Sequence, residues 1–487
     1  MASDSTKPFL DEAPADMPKE TKETSWKSIY IAGCCSFVQA MQFSIFFSSQ
    51  YPYLLTLDHT INPSDFGFVV ATYSIAQSIA SPGFGYWSGK LGEVSLPLKV
   101  GFLFMAVGNI LYIGLAYLPS HYLAAMFVAR AVAGAGTGNM SLLRAYASSA
   151  STSKDRSRAI AIIVGGIAVG TMIGPGMQTI FTPLGKDGVD FLGFNINIYN
   201  SPAILSFIMD FIGFCVVEFA FVEEYLIDVS KTSSDGEEKP SLAKPCAIAL
   251  AVCVTTRFLQ IFVHTSTETI GSAYSMMMFS FESDESVAVN AMVHTIAGAL
   301  AAALFIVFIV FDISKYMRMR TFCMGALVMG LGMYISTYPF PFYTENVLLS
   351  VNGSEANCDP TKYDWCNSLT RVSSWLYYPL YIINFGIGNS FLNISVTTMY
   401  SKVVGPRPQG TYQGFYQMAG SFGRLTSPIL ISLIYSLYGP RATWLINIGL
   451  IFFTLMLWIF FRQHMVPFEK SRKRSVRAQP EIEVDTL

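Results

Sequence analysis

Apolar runs of about twenty residues recur along the chain, each bounded by charges or by Pro, Gly and Asn. A helix rising about 1.5 Å per residue needs roughly twenty apolar residues to cross a bilayer core. Runs near 28–50, 65–88, 98–118, 121–143, 158–181 and 201–222 predict six spans. Runs near 245–279, 287–311, 321–341, 372–400, 411–437 and 441–462 predict six more. The polar stretch 223–244 parts the two sets as a linker. The pattern therefore predicts an all-α polytopic membrane protein with twelve transmembrane helices in two six-helix bundles, 28–222 and 245–463. Residues 1–27 hold six acids, four lysines and no apolar core, so they read as a disordered tail rather than a cleavable signal. Residues 464–487 form a basic tail.

Charge placement sets the orientation. The tails and the loops near 90, 150, 235, 315 and 405 carry 24 of the 31 Lys and Arg residues, and the opposite loops carry four. The positive-inside rule then puts both termini in the cytosol. Cys358 and Cys366 share the long loop 342–371 on the other side, where a disulfide persists. Asn352 in the same loop begins a glycosylation acceptor, Asn352-Gly353-Ser354. Similar triplets at Asn139 and Asn393 fall inside spans and read as chance.

Composition agrees with a lipid-facing surface. Only 13% of residues are charged, about half the share usual in a soluble domain, and the net charge of -2 excludes a general attraction to nucleic acid. No phosphate-binding loop, zinc-protease helix, paired-cysteine motif or nucleophile elbow occurs, so neither an ATP-driven pump, a metalloenzyme nor a hydrolase is expected. No cofactor or metal is implied. The expected partners are a small anion or small-molecule solute and membrane lipid, the latter through the basic run Lys470 to Arg477.

The halves echo each other at an offset of about 250 residues. Gly136-Thr137-Gly138-Asn139 returns as Gly386-Ile387-Gly388-Asn389, and Gly174-Pro175 as Ser427-Pro428. Two six-helix repeats with a site at midplane between them are the arrangement of the major facilitator fold. Specific residues carry the same resemblance. Arg130-Ala131-Val132-Ala133-Gly134-Ala135-Gly136 resembles that superfamily's fourth-helix motif, and Gly170-Thr171-Met172-Ile173-Gly174-Pro175 its fifth-helix motif. The loop after the second span departs from the usual form, with Gly89 at the Asp place and Glu93 at a basic one. Ala71 to Ser74, Ala80 to Pro82, Trp365-Cys366, Gly405 to Gly410 and Tyr438 to Arg441 resemble an endolysosomal member of the superfamily. That resemblance implies a lysosomal or late-endosomal transport protein with an anion conductance, chloride being the implied ion.

Ionisable side chains inside the membrane cost at least about 2.5 kcal/mol and so mark a pathway or a buried pair. Arg130 and Arg424, from opposite halves and both near midplane by residue count, are the leading candidates for one shared anion site. The alternative is that each is paired to hold its bundle together. Glu268 is the third candidate, as a proton-coupling or gating carboxylate next to a helix break expected near Gly271. Asp210 and Arg257 read as candidate partners of each other, and His294 as a packing residue that titrates near neutral pH. Gly170, Gly174 and Pro175 suit close helix contact or a hinge. The expected function is anion movement between lumen and cytosol. A proton-coupled exporter of a small organic solute and a transport-inactive receptor or scaffold stay open beside it.

Overall fold

The computed structural model describes residues 23–468 apart from 47–48, 59–62, 186–187, 192–193, 226–244, 314–315, 344, 351–356 and 361–362. The two tails, most of the polar linker and Asn352 therefore lie largely or wholly outside the described residues.

The first half contains α1 (Trp26–Ile45), the short α2 (Gln50–Leu57), α3 (Pro63–Leu91), α4 (Ser95–Gly114), α5 (Tyr122–Thr137), α6 (Met140–Ser149), α7 (Arg156–Thr179) and α8 (Ser201–Phe219). A small hairpin of β1 (Val189–Phe191) and β2 (Phe194–Ile196) links α7 to α8. The second half contains α9 (Ala247–Phe279), α10 (Ser283–Val310), α11 (Met319–Ser336), α12 (Ser374–Ile383), α13 (Asn389–Val404) and α14 (Gly410–Phe460).

Among the described residues, eight helices are long and apolar enough to cross a membrane unaided. Other described helices add candidate crossings. The long helix α3 adds one. α5 and α6 together make another, as do α12 and α13 through the π-helical turn Asn384–Gly388. α14 makes two, because Gly439 reverses it at φ 75° and ψ -173°. A side chain at Gly439 would meet the Trp365 ring, and the Trp365 indole N–H donates to the Ser436 carbonyl at 3.3 Å. The loop that carries the Cys358–Cys366 disulfide thus braces this reversal.

The two glycine-rich echoes fall at equivalent breaks. Gly136 to Asn139 separates α5 from α6, and Gly386 to Asn389 covers the turn between α12 and α13. In the first, the Asn139 side-chain amide donates to the Leu98 carbonyl at 3.1 Å, which fixes the interrupted span against α4.

One expected break is absent. α9 runs unbroken for 33 residues through Gly271, about 50 Å of helix. Its excess length extends beyond the bilayer core. Gly271 instead brings α9 close to Asn290 of α10, while the Ser275 hydroxyl donates back to the Gly271 carbonyl at 2.8 Å.

Packing is densest where small residues let backbones meet. A side chain at Gly170 would strike the Phe37 carbonyl, and one at Gly174 the Ser44 hydroxyl, so α7 lies directly on α1. Buried apolar side chains fill each half, while Phe211, Ile212 and Phe219 of α8 stand exposed. That exposure suits lipid and would be unfavourable in water.

Candidate functional site

The halves close on each other at the end that carries the short basic loops. Gly85 of α3 faces the Gly410 backbone of α14, and Gly414 faces Ser81 and Pro82, both too closely for any side chain. Lys402 of α13 reaches the Ser157 hydroxyl of α7 at 3.4 Å. Just inside this seal, Ser421 of α14 donates to the Gln77 side chain of α3 at 2.7 Å.

Above the seal lies a cavity of about 60 Å³. α1, α3, α6 and α7 line it from one half, and α9 and α14 from the other. Three arginines face it: Arg144, Arg257 and Arg424. No Asp or Glu is among its described lining residues.

Each arginine is placed differently. Arg144 is 2% exposed; one terminal N–H donates to the Gln417 side-chain carbonyl across the interface between halves. Arg257 donates to the Asn393 and Gln260 side-chain carbonyls at 3.0 and 3.2 Å. The two guanidiniums flank the Tyr416 ring, at 5.9 and 5.4 Å from its centroid. Arg424 is half-buried over the Phe43 ring at 4.8 Å, and no hydrogen bond or ion pair is formed by its guanidinium among the described residues. Its five donors are uncommitted. Carbonyls and ring faces stabilise these cations without neutralising them, so the cavity keeps a concentrated positive charge in a low-dielectric setting.

Arg130 and Arg424 do not share this cavity. Arg130 is 5% exposed and packs over Phe46 and Tyr73 at 5.0 and 4.6 Å. Tyr73 in turn contacts Phe43, so an aromatic pair stands between the two arginines. Nor are Asp210 and Arg257 partners. Asp210, 1% exposed, accepts from Gln42 at 2.9 Å and Asn109 at 2.8 Å within its own half. Arg257 belongs to the other half and bonds to Asn393 and Gln260 there.

Glu268 lies one turn beyond His264, and the pair is 3.3 Å apart. Its side chain is 43% accessible although His264, His294 and Arg424 all act on it electrostatically. The carboxylate is therefore not enclosed by the protein. His294 meets the Tyr381 hydroxyl at 3.3 Å. Gly170 and Gly174 sit in the α1–α7 contact, Pro175 follows them within α7, and none of the three is among the described residues lining the cavity.

Arg144 was not singled out from sequence, where it counts as a basic residue at a helix end. The missed signal was distance. Arg144 lies ten residues before Lys154, which is about 15 Å of chain if helical, too far in for an interfacial side chain.

A positively charged cavity between two six-helix halves, closed at the end that carries the basic loops, is the arrangement of a secondary transporter. The chain belongs to the major facilitator superfamily, whose family model matches residues 32–357 and 365–483. It is 28% identical over 506 aligned positions to major facilitator superfamily domain-containing protein 8 of Xenopus laevis, covering 97% of this chain and 98% of the relative. Among solved structures, it is similar to the human organic anion transporter MFSD10 (TETRAN), with a TM-score of 0.62 at 14% identity, over 91% of this chain and all of that one. It is also similar to the transporter FucP in its outward conformation, with a TM-score of 0.61 at 10% identity, over 89% of this chain and 99% of that one. Membership makes the chain a multi-pass membrane transporter of a small solute.

Proposed function

We propose that this transporter moves a small anion between the lumen and cytosol of an endolysosomal compartment, chloride being the ion that family resemblance implies. The observation that carries the reading is the cavity in which Arg144, Arg257 and Arg424 meet between the halves with no carboxylate among its described lining residues. A fixed cationic site of this kind attracts an anion and gives a cation nothing to pair with. Arg130 would act behind the Phe43–Tyr73 pair as a long-range electrostatic aid rather than as a ligand. The excess of Lys and Arg at the sealed end supports placing that end and both termini in the cytosol. Rocking of the halves about the cavity would expose the site to either side.

The Glu268–His264 pair favours a second reading, proton-coupled export of a small organic solute. A carboxylate 3.3 Å from an imidazole is a pair through which a proton can pass. Voltage clamp of enlarged endolysosomes containing the chain, with chloride exchanged for gluconate, tests the first reading. A current that follows the chloride gradient and shrinks in Arg424→Gln supports it. Electrically silent, pH-driven solute flux supports the exporter, and no flux of any kind from a folded, correctly delivered protein supports a scaffold.

A further inference from the structure

The cavity is larger and more highly charged than a halide needs. A space of about 60 Å³ is several times the about 10–15 Å³ that a single water needs. Three guanidiniums face it without a carboxylate. One chloride would leave most of that charge unbalanced in a low-dielectric site.

The hydrogen-bonding geometry points the same way. A guanidinium presents a planar fork of donors that matches two oxygens of a carboxylate or phosphate-like group, a match a spherical ion cannot exploit. Arg424 makes no hydrogen bond among the described residues, and Arg144 and Arg257 are held facing the same space by Gln417 and Asn393. The Gln77 and Ser421 side chains add polar groups beside Arg424.

Resting on the anion reading above, we propose that the preferred cargo of this cavity is a small doubly charged oxyanion. Inorganic phosphate, sulfate and oxalate share that chemistry. The dianion bridges the halves, accepting from Arg144 on one side and from Arg257 and Arg424 on the other. Chloride enters the same cavity as a weaker occupant.

The full chain reconstituted in proteoliposomes tests this. Counterflow of labelled phosphate, sulfate and oxalate would be measured beside that of labelled chloride, and binding followed by thermal stabilisation in detergent. The expected result is saturable counterflow of at least one of the three dianions, with chloride competing at concentrations at least about tenfold higher. Arg257→Lys, which keeps the charge and loses the fork, should weaken the dianion about tenfold and chloride by less than about threefold. Movement of chloride with neither flux nor competition from any dianion overturns this inference and leaves the anion reading standing. Absence of both flux and stabilisation by every anion, in protein that remains folded, overturns the two together.

Discussion

Arg424→Gln is the most informative substitution because Arg424 has little structural work to lose. Its guanidinium makes no hydrogen bond among the described residues and rests on the Phe43 ring at 4.8 Å. Losing one such contact costs about 0.5–1 kcal/mol. The expected loss of anion binding is larger. A unit charge at about 4 Å from the cation gains about 4 kcal/mol at an effective dielectric constant of 20, and a charge-assisted hydrogen bond contributes about 1.5–3 kcal/mol net. These describe one interaction in two ways and are not summed. A loss of about 3–4 kcal/mol corresponds to two to three decades of affinity. Anion-dependent thermal stabilisation and tracer uptake, measured on the same purified protein, should therefore fall at least a hundredfold in apparent affinity, while unliganded stability stays within about 1 kcal/mol of the parent. If both affinity and uptake stay within threefold in the folded variant, the anion does not bind at Arg424.

Other substitutions separate the cavity from its scaffold. Asp210→Asn places an amide against the donors from Gln42 and Asn109, so it should destabilise the first half by about 1–3 kcal/mol and leave anion affinity within threefold, as read by thermal unfolding and uptake. Gly414→Leu forces a side chain against Ser81 and Pro82. It should prevent closure of the seal and abolish uptake, and a spin-label distance across the basic end should lengthen. Cys358→Ser opens a loop eight residues long, worth about 2.5 kcal/mol on the chain-entropy model, and should lower the unfolding temperature while the cavity keeps its affinity.

The long apolar runs were legible as spans, and eight of the described helices carry such a run unaided. The breaks at Gly136–Asn139 and Gly386–Asn389 were legible as an echo, but not as interruptions, because glycine in a membrane helix serves close packing as readily as bending. Depth was legible too, and it brought Arg257 and Arg424 into the set of candidate residues. Direction around the helix was not. Arg130 and Arg424 lie at comparable depth, yet Phe43 and Tyr73 separate them, a contact made by α1 and α3 that no spacing along the chain encodes. The same gap explains the mistaken pairing of Asp210 with Arg257, whose partners are neutral amides from their own halves. Gly271 misled for a related reason. The length of the run suggested a break, whereas the helix keeps its hydrogen bonds and projects past the bilayer core.

The central claim is that Arg144, Arg257 and Arg424 together hold an anion. Anomalous scattering from crystals soaked in selenate, an oxyanion with a heavy central atom, tests it most directly. A selenium peak within hydrogen-bonding reach of all three guanidiniums, lost in Arg424→Gln crystals, is the predicted result. An empty cavity in well-ordered crystals at saturating selenate, or selenium bound only outside it, would contradict the account.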